Sequence, residues 1–271
     1  MNKVKSILTF ILGLIASILL LVAILLVIIR STIYNKEYIL NIINESNYYK
    51  NLTESIEKDM KNNLLSLELD ESVIKDLFDK SDIQKETINL INSLYIGQKY
   101  KVNVVSIKEK IKQNINHYFD EKNIYIEDKE TLEAIIDSIT KVYKEKLEIY
   151  GYLDTISNIF IKIGNNIDIY ILLTILAYIA IIIIIKYIIK NNILGSTFTA
   201  AGFMLLFIKY YIYEKIDAKN ILIISTEFST LIRKILENIG EKILLYSYIS
   251  IIIGILIMII ESFKKLKRRT R

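Results

Sequence analysis

Apolar residues along the chain fall into two patterns, unbroken runs and runs interrupted at helical spacing. Ile7 to Ile29 is 23 residues without a charge, and a helix rising about 1.5 Å per residue crosses the bilayer core in roughly 20. The run predicts a transmembrane helix over residues 7–29. Lys3 and Lys5 give it the basic start of a secretory signal. The apolar stretch is longer than a signal core, however, and no A-x-A-like site follows Ile28-Ile29-Arg30-Ser31-Thr32, so it reads as an uncleaved signal anchor. Three later runs, Ile169 to Ile185, Ile193 to Ile208 extended by Tyr210 to Tyr213, and Leu244 to Ile260, predict spans over 169–185, 193–213 and 244–260. The run from Ile193 opens on Gly195-Ser196-Thr197, which leaves a re-entrant or buried segment open beside a full crossing.

Between the first two spans, residues 30–168 are patterned as helices. Ser81-Asp82-Ile83-Gln84 and Ser106-Ile107-Lys108-Glu109 read as capping boxes. The first leads into Ile83, Ile88, Ile91 and Leu94, and the second into Ile107, Ile111, Ile115, Tyr118 and Phe119. Glu130 to Tyr150 and Ser46 to Leu67 carry two more such series, and Asp70-Glu71-Ser72 opens a short helix through Phe78. Gly97 ends one helix, the pieces Tyr100 to Val104 and Asn123 to Ile126 read as extended linkers, and Gly151 and Gly164 punctuate the approach to the second span. Within residues 214–243, Phe228, Leu231, Ile232, Ile235, Leu236 and Ile239 share one face. They predict an amphipathic helix that lies along the membrane surface or docks under the larger domain, and the balanced charge of its polar face favours docking.

Charge orients these elements. Lys3, Lys5, Lys186, Lys190, Lys264, Lys265, Lys267, Arg268, Arg269 and Arg271 fall in residues 1–6, 186–192 and 261–271, where the only acid is Glu261. By the positive-inside rule those three segments are cytoplasmic, and 30–168 and 214–243 face outward. Tyr34, Tyr170, Tyr210, Tyr211, Tyr213, Tyr246 and Tyr248 then fall at outer ends of spans, and Tyr187 at the inner face. Gly13 and Ser17, then Gly195, Thr199 and Gly202, then Ser250 and Gly254 follow or approximate the small-xxx-small spacing that lets helices approach closely. The spans hold no ionisable residue at mid-depth, which disfavours an ion-coupled transporter or pump.

Composition narrows the chemistry. The 271 residues include no Cys, Pro or Trp and a single His, which excludes disulfides, thiolate metal sites and a cysteine nucleophile. Ile fills 61 positions, an AT-rich coding bias, so apolar runs are weighed by length and lack of charge. His117 reads as a surface or partly buried structural residue. The acids Glu68, Asp70, Glu71, Asp76, Asp79 and Asp82 lack calcium-loop spacing and read as solvated helix ends. Asn44-Glu45-Ser46 and Asn51-Leu52-Thr53 match the glycosylation pattern by chance in an Asn-rich chain. Nucleotide-binding, zinc-protease and hydrolase-elbow motifs are missing, and the basic tail has no nucleic-acid-binding fold beside it.

The run Leu69-Asp70-Glu71-Ser72-Val73-Ile74-Lys75-Asp76-Leu77-Phe78, followed by Ile83 to Tyr95, is similar to uncharacterised four-span membrane proteins of AT-rich Gram-positive bacteria. That resemblance implies a location and no chemical role. The layout of one span, a large outer domain and three spans also resembles mechanotransmission-type ABC permease-like subunits. It departs from them in its short cytoplasmic segments and its all-helical outer domain. The reading is therefore an all-α protein with four transmembrane helices and a helical extracytoplasmic domain inserted between the first and second. It is expected to be non-enzymatic and to use no cofactor or metal. Its partners are expected to be the lipid bilayer and a membrane or envelope protein, not nucleic acid. The expected role is sensing, scaffolding or binding, and the alternative is a transport-associated subunit.

Overall fold

The computed structural model describes residues 3–98, 100–124, 129–147, 153–190, 192–215 and 226–269. They form α1 (Lys3–Ser31), α2 (Lys36–Glu45), α3 (Tyr48–Ser66), a 3₁₀ turn (Glu71–Ile74), α4 (Lys80–Ile96), α5 (Val105–Lys122), α6 (Lys129–Leu147), α7 (Leu153–Ile184), a π-helical turn (Ile185–Ile189), α8 (Leu194–Lys215) and α9 (Thr226–Arg269). The protein is all-helical, with no strand among the described residues. Contacts divide it into one unit of Met1–Ile39, Ile163–Ile221 and Ile232–Arg271, and another of Leu40–Lys162 and Leu222–Leu231.

In the first unit the usual distribution of residue types is inverted. Ile7, Phe10, Leu172, Leu173, Phe207 and Phe263 are exposed, while the buried positions of α1 are Thr9, Ala16, Ser17, Ala23 and, alone among its large apolar residues, Ile28. Exposed apolar surface on this scale fits a hydrocarbon solvent, where small residues turn inward because they let backbones approach. Among the described residues three helices are long and apolar enough to cross a membrane, within Lys3–Ser31, Phe160–Ile189 and Thr226–Lys264. The α8 segment, expected as a fourth, is not among them: Lys209, with Tyr210 and Tyr211, lowers its hydropathy most, and Gly195, Ser196, Thr197, Thr199 and Gly202 lower it further. Its neighbours are fixed nonetheless. Ile28, Leu205 and Ile243 form a small core joined by Leu21, Ile24, Leu25, Ile239 and Tyr246, which ties α1, α8 and α9 together.

The second unit buries its apolar residues conventionally. Leu52, Ile56, Met60 and Leu64 recur every four residues on α3 and are at most 1% exposed. Each contributes about 2 kcal/mol of gross burial. That stripe makes α3 the hub, in contact with α4, α6 and the 3₁₀ turn, while α5 closes against α6 and the same turn through Ile107, Ile111, Ile115 and Phe119. Tyr143 of α6 is 1% exposed and packs its ring against Phe78 at 5.4 Å.

Several local expectations are corrected. Helix α4 is capped two residues early: Asp79 Oδ1 accepts from Ser81 N and Asp82 N while Asp82 Oδ2 accepts from Asp79 N. Before α5, Asn103 Oδ1 accepts from Val105 N, and Ser106 lies inside the helix. The helix expected over Ser46 to Leu67 is α3, which starts at Tyr48 after Asn47, whose φ of 55° separates it from an additional helix, α2. The turn after Asp70 ends at Ile74 rather than Phe78. Gly97 does end α4, at φ 79°, but Gly164 lies within α7 and breaks nothing. A Cβ there would sit 2.8 Å from the Tyr34 ring, so this glycine makes room for an aromatic side chain. The amphipathic series from Glu227 continues without interruption into the last apolar run as the 44-residue α9, with no break between surface helix and span. Gly151, Tyr125 and Ile126, Glu148 to Tyr150, and Arg271 lie outside the described residues.

Candidate functional site

The small residues of α8 and α9 meet. A Cβ built on Gly254 would lie 2.6 Å from Thr199 N and 2.7 Å from Gly195 O, and closer still to Thr199 Oγ1. On Gly195 it would lie 2.8 Å from Gly254 O, and on Gly202 it would lie 2.8 Å from Ser247 O. Between these levels the Ser250 hydroxyl donates to Phe198 O at 2.7 Å. Side-chain atoms of Met258, Ile251 and Thr199 come closest, but backbone atoms stand within 3.0 Å at each of these glycines, so moving a side chain does not relieve the contact. Gly13 and Ser17 belong elsewhere: the Gly13 Cβ position faces Ile193 Cδ1 at 3.2 Å, and Ser17 donates to its own Gly13 O at 2.9 Å. Spacing alone gave no sign that Ser247 lies opposite Gly202, or that Tyr178 OH lies 3.1 Å from Thr197 Oγ1.

Along α1 and α8 runs a groove of about 380 Å³. Ser6, Phe10 and Ser17 line one wall and Ser196, Ala200 and Met204 the other. Two of these hydroxyls donate within their own helices, Ser17 as above and Ser196 at 2.8 Å to Ile193 O.

The basic positions gather at one end of this unit. Lys3 and Lys5 open α1, which packs against the π-helical turn holding Lys186. Lys186 Nζ lies 5.4 Å from the Tyr187 ring centroid, and Lys190 takes a left-handed φ of 60° at the turn's end. Asn192 donates to Glu261 Oε1 at 2.6 Å, which brings the connection beside the end of α9, where Lys264 is exposed. Lys265, Lys267, Arg268 and Arg269 follow in the same helix. The other end is closed by different pairs. Arg30 Nε lies 3.0 Å from Asp168 Oδ1, and Lys242 Nζ stands 4.3 Å from the Tyr38 ring centroid while donating to Ser31 O at 3.3 Å.

The second unit holds a polar cleft of about 370 Å³ between α3, with Asn51, Ser55 and Asp59, and the start of α9, with Thr226, Glu227 and Thr230. Lys146 anchors one wall, at 2.7 Å from Asp59 Oδ2 and 3.0 Å from Ser55 Oγ. Glu227 Oε2 is buried with no hydrogen-bond partner among the described residues. His117 is exposed and sits 3.3 Å from Glu121, a surface pair. Four of the six acids in the series are engaged locally: Asp70 caps the 3₁₀ turn, Glu71 pairs with Lys61 at 2.6 Å, and Asp79 and Asp82 cap α4. Hydrogen bonds from Ser72 hold the Asp70 carboxyl below its ordinary range, and those from Ser81 and Asp82 do the same for Asp79. Burial pushes the Tyr143 phenol well above its usual value. No group of three or more metal-ligating side chains converges among the described residues.

No protein-family model, curated protein or solved structure matches this chain.

Proposed function

We propose that the chain is an integral plasma-membrane protein that holds a helical extracytoplasmic domain for sensing, scaffolding or binding an envelope component or partner protein. In this reading α1, the apolar part of α7, α8 and the apolar part of α9 are four crossings. Residues 1–6, 186–192 and 261–271 face the cytoplasm, and the domain acts without chemistry of its own. The observation that supports it is the opposite sorting of residue types in the two units. One turns many of its Ile, Leu and Phe outward and buries Gly195, Gly202, Gly254, Ser17, Ser247 and Thr197 around a small apolar core at Ile28, Leu205 and Ile243; the other buries Ile, Leu and Met beneath charged surface. A single polypeptide sorted in these two ways suits two solvents.

The chain has no cysteine, so each introduced thiol reports alone. On intact cells, a membrane-impermeant maleimide is expected to label Lys85→Cys and to spare Lys264→Cys until the cells are opened. The reverse pattern overturns the orientation. Capture of the tagged full-length protein from native membranes, read by mass spectrometry, then tests the binding role: a stoichiometric envelope protein or wall polymer is expected. Hydrolytic activity of the purified protein on envelope substrates would overturn the non-enzymatic reading.

A further inference from the structure

We infer that the groove between α1 and α8 is a binding site for one anionic phospholipid of the leaflet that meets the basic end of the bundle. The inference rests on the membrane reading above and adds a defined ligand to it. Three observations carry it. The first is length. From Ser6 to Ser17 and from Ser196 to Met204 the walls follow α1 and α8 together, and eleven residues of α1 rise about 16 Å. Half of a 30 Å hydrocarbon core is about 15 Å, so an acyl chain of one leaflet runs the length of the groove. The second is lining. Phe10 and Met204 offer apolar contact, and the Thr9, Ser17, Ser196 and Thr197 hydroxyls all donate within their own helices, which leaves Ser6, at the basic mouth, as the lining hydroxyl nearest a head group. The third is charge. Lys3 precedes Ser6 by three residues and so continues the same helix face past the mouth of the groove. Lys5 follows it, and both are exposed. A phosphate-bearing head group placed there meets two ammonium groups while its tail enters the groove.

Selectivity for an anionic over a zwitterionic head group follows from those lysines, each contributing enough near an anionic surface for a combined preference of roughly tenfold or more. It weakens as salt rises.

The absence of tryptophan makes the test direct. Phe10→Trp and Met204→Trp place single fluorophores at the two ends of the groove, and Leu176→Trp places one on the exposed face of α7. Full-length protein is reconstituted in phosphatidylcholine bilayers containing a minor fraction of lipid brominated on its acyl chains, as phosphatidylglycerol or as phosphatidylcholine. Both groove reporters are expected to be quenched at roughly tenfold lower brominated phosphatidylglycerol than phosphatidylcholine. The Leu176→Trp reporter is expected to make no distinction, and Lys3→Gln with Lys5→Gln is expected to erase the preference. Equal quenching by the two lipids at the groove overturns the site. Protection of both reporters from either lipid, with a mass of two chains, overturns it in favour of a second copy seated there. Release of the wild-type chain from membranes by alkaline carbonate overturns the membrane reading itself, whereas retention with equal quenching overturns the groove alone.

Discussion

Replacing Gly254 by alanine sets two opposed effects against each other. In a helix interior alanine is favoured over glycine by about 1 kcal/mol. At Gly254 the added methyl meets Thr199 N at 2.6 Å and Gly195 O at 2.7 Å, where carbon contacts are optimal near 3.5 to 4.0 Å. Because both atoms are backbone, α8 and α9 must separate by about 1 Å, a gap that forfeits a quarter to a half of each contact's dispersion energy. Overpacking of this kind costs about 1–3 kcal/mol. Stretching the 2.7 Å bond from Ser250 to Phe198 O removes about 0.6 kcal/mol more. Net of the propensity gain, Gly254→Ala is expected to destabilise the bundle by about 1–2 kcal/mol, roughly five- to thirtyfold in the folded ratio. Gly13→Ala meets only Ile193 Cδ1, at 3.2 Å, the movable end of a side chain, so propensity dominates and the variant is expected to be neutral or more stable. Titration with dodecyl sulfate in mixed micelles, followed by far-ultraviolet dichroism, measures both. Equal midpoints for the two variants would refute the claim that the α8–α9 contact is backbone-limited.

Two further predictions concern the helical unit. Tyr49 OH is buried with no partner among the described residues, so Tyr49→Phe is expected to stabilise by up to about 1–3 kcal/mol; a thermal midpoint lowered by the substitution would show that the hydroxyl has a partner. Asp79 titrates below its ordinary range because Ser81 and Asp82 donate to it, so its stabilising effect is complete above the unfolded-state value, about 3.9, and is lost as pH falls through the lower folded-state value. Asp79→Asn keeps a capping acceptor without the charge, and the gap in urea midpoint between the wild type and this variant is expected to close as the solution is acidified. A gap that stays constant contradicts the assignment.

Where one physical term dominates, the sequence is readable. The 23 uncharged residues from Ile7 admit one interpretation, and α1 fills it. The series Ile107, Ile111, Ile115 and Phe119 is the buried face of α5, because a four-residue period leaves one stripe to bury. Where terms compete, reading fails. Asp79 and Ser81 are both good caps, and the choice lay with the extended backbone at Asp79, ψ 179°, which no local propensity dictates. Helix α2 escaped notice because Ile39, Leu40, Ile42 and Ile43 make too short a stripe to stand out in an Ile-rich chain. The continuity of α9 past Lys242 was hard to read because Asn238 and Gly240 offer a stop there; the helix runs through them, no proline intervenes, and a change from amphipathic to apolar pattern does not end a helix. At the candidate site, spacing singled out Gly195, Gly202 and Gly254 but not who faces whom. The groove was illegible for the same reason, since it exists only once Ile193 is set beside Gly13.

The glycines and hydroxyls of α8 also bear on how the protein is made. The small residues that let α9 approach also lower the affinity of α8 for hydrocarbon, in addition to Lys209, so the segment is less suited than α1 to partition into lipid alone. Of its two partners, α1 is encoded before it and α9 after it. During synthesis of a bundle inserted as proposed, α8 leaves the ribosome with α1 already made, while the backbone surface that its glycines fit is still to be translated. The close α8–α9 contact is then the late event, and a truncation upstream of Gly254 leaves α8 packed on α1 alone.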